Sequence, residues 1–258
     1  MRRIRLAILL GALITLSGAA NAAPSSCPDK FAGGQAPEIV NQALAPKTRE
    51  LCYSHFAVLH SGISRTPLYS AEHLTVEDIR GAESIPREGK FHAEARLPKS
   101  ERAELADYKG SGMDRGHLTP SGDAPTNKAQ QETFSLANMV PQDHDNNTKL
   151  WAAIETSVRE LAKANGELYV VTGPIFLGQR LQRLNGRVLV PTNIFKAVYD
   201  PKQQKAAAYL VRNAPGREWS QVSIKQIEDM AGIVVFPGLP AGAADATLTL
   251  PPPAARGR

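Results

Sequence analysis

Asp107–Pro120 reads DYKGSGMDRGHLTP, and this stretch decides how the rest of the chain is understood. Gly110 and Gly112 permit tight backbone. Asp114 and Arg115 offer a carboxylate and a guanidinium that can pair with each other or contact a phosphate. His117 follows a glycine that keeps space around it. An imidazole in a polar, glycine-bearing segment is poised to titrate near neutral pH and to serve as a general base. Taken alone, a histidine in a loop is more often an ordinary surface residue, so the chemistry depends on what the chain places beside it.

Downstream lies Ser135–Arg159, SLANMVPQDHDNNTKLWAAIETSVR. Trp151, Ile154, Val158 and Leu161 recur at helical spacing, and Asn165-Gly166 is a stop signal, so a helix is predicted over 147–164. Asn147, Trp151, Glu155 and Arg159 occupy successive i, i+4 positions, which drift by about 40° per step along one slowly turning edge. Trp151 falls in the apolar stripe, and the other three line its border. An amide oxygen, a carboxylate and a guanidinium side by side suit a hard cation and a phosphate. A solvated face with a Glu155–Arg159 pair would produce the same pattern.

Together the two stretches resemble the DNA/RNA non-specific endonuclease family, the ββα-metal nucleases. The family signature Asp-Arg-Gly-His stands intact at Asp114, Arg115, Gly116 and His117, followed by Leu118 and Pro120. Ser135, Asn138-Met139, Pro141-Gln142, Asn147, Trp151, Glu155 and Arg159 follow the family spacing, as do Thr172-Gly173-Pro174-Ile175 and Ile227-Glu228 through Phe236-Pro237. The sequence departs from the pattern at Glu94, where aspartate is expected, and at Met113, where an aromatic is usual.

The resemblance implies a metal-dependent endonuclease that cuts DNA and RNA without strong sequence preference, leaving 5′-phosphate ends. His117 would be the base that activates water and Asn147 the direct protein ligand of Mg²⁺, with Mn²⁺ as a substitute. Glu155 would hold a metal-bound water. Arg159 would lie near the phosphate, and Arg87, upstream of Phe91, would stabilise the transition state. Asp114 and Arg115 belong to the same catalytic loop.

The remaining chain organises around this region. Strands are predicted at 51–60 and 66–74, forming a hairpin around Gly62, and at 168–172, 187–190, 195–199, 206–211 and 233–236. Residues 126–135 and 224–231 read as short helices, and 75–112 as loop with short turns. Runs of strands with few helices between them indicate an α+β class with mostly antiparallel pairing around the ββα-metal motif. The expected organisation is an arm at 23–50, a nuclease domain at 51–240 and a disordered Ala/Pro-rich tail from 241.

Arg2, Arg3 and Arg5, the apolar run Leu6–Leu16 and Ala20-Asn21-Ala22 read as a secretory signal peptide over 1–22, which places the mature protein in the periplasm or medium without a membrane anchor. Losing those three arginines with no acid takes the formal charge from +5 to +2, so net charge does not argue for nucleic-acid binding. Any basic surface must be local. Arg180, Arg183, Arg187 and Lys196 form such a region, which would track a nucleic-acid backbone or serve as an ordinary charged sheet edge. Cys27 and Cys52, exported together, are expected to form one disulfide. Homodimerisation is left open. Two other functions compete: a phosphodiesterase or pyrophosphatase acting on small molecules, and a non-catalytic nucleic-acid-binding protein of the cell envelope. Binding alone needs neither His117 nor Asn147.

Overall fold

The computed structural model describes residues 24–240, 242–243 and 247–253. The proposed signal peptide at 1–22 lies outside the described residues. In chain order the strands are β1 (Glu38–Ile39), β2 (Thr48–Cys52), β3 (Phe56–Ser61), β4 (Thr66–Thr75), β5 (Asp114–His117), β6 (Met139–Gln142), β7 (Glu167–Ile175), β8 (Arg183–Leu184), β9 (Val188–Leu189), β10 (Asn193–Asp200), β11 (Lys205–Arg212), β12 (Trp219–Val222) and β13 (Ile233–Val234). The helices are α1 (Val76–Glu83), α2 (Leu105–Tyr108), α3 (Asn127–Thr133), α4 (Ala152–Asn165) and α5 (Ile224–Ala231). A π-helical turn, Asn146–Trp151, leads into α4. No helix among the described residues is long and apolar enough to cross a membrane.

Seven strands form one antiparallel sheet in the order β12-β11-β10-β7-β4-β3-β2. Its central strands are buried on both faces, and the period of two divides their side chains between two cores. Tyr69, Ala71, Val171, Phe195 and Ala197 point to one face, where Phe31, the arm and Ile224 and Ile227 of α5 cover them. Leu74, Val170, Ile194 and Val198 point to the other, against Trp151, Ile154 and Val158 at the π turn and α4. Burial of these aliphatic side chains, at roughly 25 cal/mol per Å², supplies the driving force for both layers.

Three expectations need correction. The predicted strand 51–60 is two strands, β2 and β3, separated at residues 53–55. The stretch 75–112 is not all loop: Thr75 caps α1, accepting from the Asp78 N–H while the Asp78 carboxylate accepts from the Thr75 N–H. Gly81 is required there because a Cβ would lie 2.8 Å from the Cβ of Pro125. The tail is ordered over 247–253. Leu248 and Leu250 are buried in the α4-side core, and the Pro251 and Pro252 carbonyls accept from Tyr209 O–H and Ser157 O–H. Alternation of Leu248 and Leu250 with polar or proline neighbours gives this segment an apolar face that composition alone conceals.

Cys27 and Cys52 form the expected disulfide, with Cα atoms 5.9 Å apart, and it joins the arm to edge strand β2. Glu50 reinforces the junction by accepting from Ser25 and Ser26. Unreduced peptide mapping is expected to recover Cys27 and Cys52 in one linked fragment; two free thiols would refute the bridge. A double serine variant is expected to lose roughly 3 kcal/mol in urea unfolding, as the chain-entropy argument gives for a loop of this size.

Candidate active site

The Asp-Arg-Gly-His stretch is itself a strand. Asp114–His117 pairs with Met139–Gln142 in an antiparallel hairpin, and the π turn and α4 follow directly. Two strands and a helix therefore converge, with His117 at the end of the first strand and Asn147 in the first turn of the helix. Gly116 is needed by close approach, since a Cβ there would sit 2.0 Å from Gln142 Oε1. A cavity of about 490 Å³ opens at this junction. Arg87, Asp114, Arg115, His117, Asn147, Glu155 and Arg159 all line it, so the structure brings together every expected catalytic and metal-binding residue.

His117 is held from three sides. The Trp151 indole N–H donates to its carbonyl at 3.2 Å. Its ring packs edge-on against Phe134, with centroids 4.9 Å apart, and lies 5.8 Å from the Phe91 centroid. Nε2 is buried and has no hydrogen-bond partner among the described residues. Burial first, then the nearby Arg87 cation, pushes its pKa down to about 3. The imidazole is therefore neutral across the ordinary pH range and keeps an unshared lone pair.

Asn147 Nδ2 donates to Asp114 Oδ2 at 2.9 Å, and His144 Nδ1 lies 3.0 Å from the same oxygen. An ionised carboxylate only accepts, so it fixes the amide with its NH₂ toward Asp114 and leaves Oδ1 as a hard oxygen donor. Burial raises the Glu155 pKa to about 7, against the opposing pull of Arg159 and Lys196. Such a carboxylate gains from a cation brought beside it. An amide oxygen and a carboxylate, both lining the cavity, thus fit a divalent metal that keeps much of its water. Among the described residues the one cluster of three His, Cys, Asp or Glu ligand atoms is Cys27, Glu50 and Cys52, where both sulfurs are committed to the disulfide.

Arg159 does not form an ion pair with Glu155. It donates instead to Asp123 Oδ1 at 2.7 Å and to Thr156 Oγ1 at 3.1 Å. Asp123 is buried and was not singled out from sequence, because a lone aspartate in SGDAPT carries no periodic signal. Arg115 lies over the Phe91 ring at 4.4 Å, a cation–π contact, and Arg87 is 5.9 Å from the Phe134 centroid. Beneath the cavity, His55 Nε2 lies 3.4 Å from Glu72 Oε2 in a buried pair. Glu94, the departure from aspartate, is fully used: Tyr53 O–H and Ser135 O–H donate to it, and Arg96 pairs with it, holding its pKa at about 2.

The basic region divides. Lys196 is buried and donates to Thr172 Oγ1 at 2.7 Å and to the Leu118 carbonyl at 3.1 Å, so its assignment to a nucleic-acid surface is withdrawn. It braces the chain just after His117. Arg187 is paired with buried Asp107 at 2.8 Å. Arg180 and Arg183 are exposed, and neither lines the cavity.

The chain is similar to known proteins in sequence and in fold. A family model described as DNA/RNA non-specific endonuclease matches residues 36–242. The human mitochondrial nuclease EXOG is 32% identical over 216 residues, covering 74% of this chain and 58% of the relative. Bovine mitochondrial endonuclease G is 30% identical over 250 residues, covering 90% of this chain and 83% of the relative. A crystal structure of the EndoG/EndoGI complex superposes with a TM-score of 0.69 at 26% identity, covering 74% of this chain and 86% of that one. The chain thus spans less than two thirds of the human relative's length and most of the bovine one.

Proposed function

The chain belongs to the DNA/RNA non-specific endonuclease family, and on that premise we propose that it hydrolyses phosphodiester bonds in both DNA and RNA, with His117 as general base and Asn147 as the direct ligand of Mg²⁺. One observation carries the reading most heavily. His117, whose Nε2 has no hydrogen-bond partner among the described residues, lines the same cavity as the Asn147 amide, the Asp114 and Glu155 carboxyl groups and three guanidinium groups.

The residues divide the work. His117, neutral at working pH, removes a proton from the water that attacks phosphorus. Asp114 sets the amide of Asn147. Arg159, fixed by Asp123, offsets charge on the non-bridging oxygens, with Arg87 and Arg115 lining the same cavity. A divalent cation held by Asn147 Oδ1, with Glu155 behind a bound water, would polarise the phosphate and stabilise the departing 3′ oxygen. No second histidine lines the cavity among the described residues, so the pair of imidazoles that would relay protons for an attack by the substrate's own 2′-hydroxyl is not assembled there. A water nucleophile is indifferent to the 2′-OH, which accounts for action on both sugars. Arg180 and Arg183 are the part of the basic region proposed to meet the nucleic-acid backbone.

The relatives named above are mitochondrial by name. For this chain we propose export to the periplasm or medium, supported by the basic and apolar N-terminal residues and by the Cys27–Cys52 disulfide. End-group analysis of digested plasmid, single-stranded DNA and RNA tests the chemistry. The expected products carry 5′-phosphate and 3′-hydroxyl ends and disappear in EDTA. Cyclic 2′,3′-phosphates, or cleavage restricted to RNA or to small diesters, would overturn the reading.

A further inference from the structure

A second cavity, of about 370 Å³, shares a wall with the active site. Thr148, in the π turn next to Asn147, lines both. Lys149, Ala153, Arg217, Trp219 and the Pro252-Pro253 edge line the rest of the groove. Trp219 is half-buried: it packs partly against the α4-side core, with its ring tilted against Tyr209 at 5.5 Å, and it also lines the groove. Lys149 and Arg217 are exposed. Asp145 is paired with Lys149 and feels the charge of Arg217, so two cations face one carboxylate here. The proline edge is a built wall. The Pro251 carbonyl accepts from Tyr209 O–H at 2.6 Å and the Pro252 carbonyl from Ser157 O–H at 3.0 Å. It lies beyond residue 242, where the family match ends.

An aromatic ring and two cations in a groove that shares a lining residue with the proposed phosphodiester site have a specific chemical complement. A base offers its π-face to the ring whatever its identity, and the adjoining phosphate meets the cations. We infer that this groove is a subsite for an unstacked nucleotide flanking the scissile phosphate, with Trp219 beneath the base and Arg217 and Lys149 on the phosphate. The inference rests on the nuclease reading above and deepens it. It makes a single-stranded stretch the substrate that uses the whole site, because a base held in a duplex does not present its face.

The test uses binding as well as turnover. The chain has two tryptophans, and Trp151 is fully buried while Trp219 borders the groove. In Mg²⁺ buffer, a cleavage-resistant phosphorothioate oligothymidylate is expected to quench tryptophan emission of the full chain. Trp219→Leu, which keeps an apolar group on the core side, is expected to remove the quench and to weaken binding about tenfold. Arg217→Glu, a surface change, is expected to weaken binding comparably and to flatten its salt dependence. In turnover, both are expected to raise KM for a single-stranded oligonucleotide more than they lower kcat. Both should also reduce the preference for that oligonucleotide over bis(p-nitrophenyl) phosphate. Wild-type affinity and unchanged KM in both variants would overturn the subsite while leaving the nuclease reading intact. Failure of the wild-type chain to cleave any nucleic acid would instead overturn the nuclease reading itself.

Discussion

His117→Ala is expected to lower kcat by roughly two to four orders of magnitude, the usual worth of a positioned general base, while nucleic-acid affinity stays within a few-fold of the parent. The split follows from where the imidazole acts. In the proposed mechanism it acts on the attacking water and not on the resting charge of the phosphate, so removing it raises the barrier and leaves ground-state binding to the arginines. The ring is also packed between Phe91 and Phe134, so alanine leaves a space there and costs some stability. His117→Gln, closer in volume, separates the two effects, since it restores packing without supplying a base. Circular dichroism, oligonucleotide binding and single-turnover cleavage on the same samples check the outcome; an active alanine variant would remove the assignment. A pH consequence accompanies it. Burial and the Arg87 cation disfavour the charged ring, so the neutral form should persist as pH falls well below the usual histidine range, down toward about 3. Imidazole ¹⁵N NMR of the substrate-free protein is expected to show no His117 titration near pH 6.5. A clear inflection there would mean the ring is solvated in solution.

The second large effect belongs to Asn147. On the proposal that Asn147 is the one direct protein ligand, its removal deprives the cation of its anchor, so Asn147→Ala is expected to lose most activity at limiting Mg²⁺ and recover part of it only at high concentration. A readout independent of turnover is the stabilisation that Mg²⁺ confers on folding: a ligand that binds the native state raises Tm in proportion to its affinity, and the variant should show little rise. Asp114→Asn should weaken the same response by less. An amide at 114 can accept through Oδ1 but also presents an NH₂, so the orientation of Asn147 is no longer fixed. Full activity and an unchanged Mg²⁺-dependent Tm shift in Asn147→Ala would exclude it as the ligand.

The site was legible in the sequence to the extent that its groups lie close along the chain or at helical intervals. Asn147, Glu155 and Arg159 come from one helical edge, and all three line the cavity as that spacing required. The strand character of Asp114–His117 was not legible. Its residues have low intrinsic strand preference, and the pairing that imposes it comes from Met139–Gln142, more than twenty residues away. Asp123 escaped for a related reason, since its importance exists only through Arg159. Lys196 was misread although the signal was present. It alternates with Ile194 and Val198, both buried on the α4-side face, so the period of two already placed it inward. Its charge suggested a surface, but its register placed it in the core. Helix α1, read as loop, also carried a signal that was passed over: Thr75 and Asp78 form a capping pair.

The two-sided sheet has a practical bearing on how such a chain can be modified. Side chains at 69, 71, 171, 195 and 197 serve the arm layer, and those at 74, 170, 194 and 198 serve the layer that carries the cavity. Changes made on opposite faces share few neighbours, so their effects on stability should combine nearly additively. The face bearing the disulfide is thus the one from which to tether the protein to a bead, a reporter or a second protein: a load attached there pulls on one layer while the other keeps its own packing.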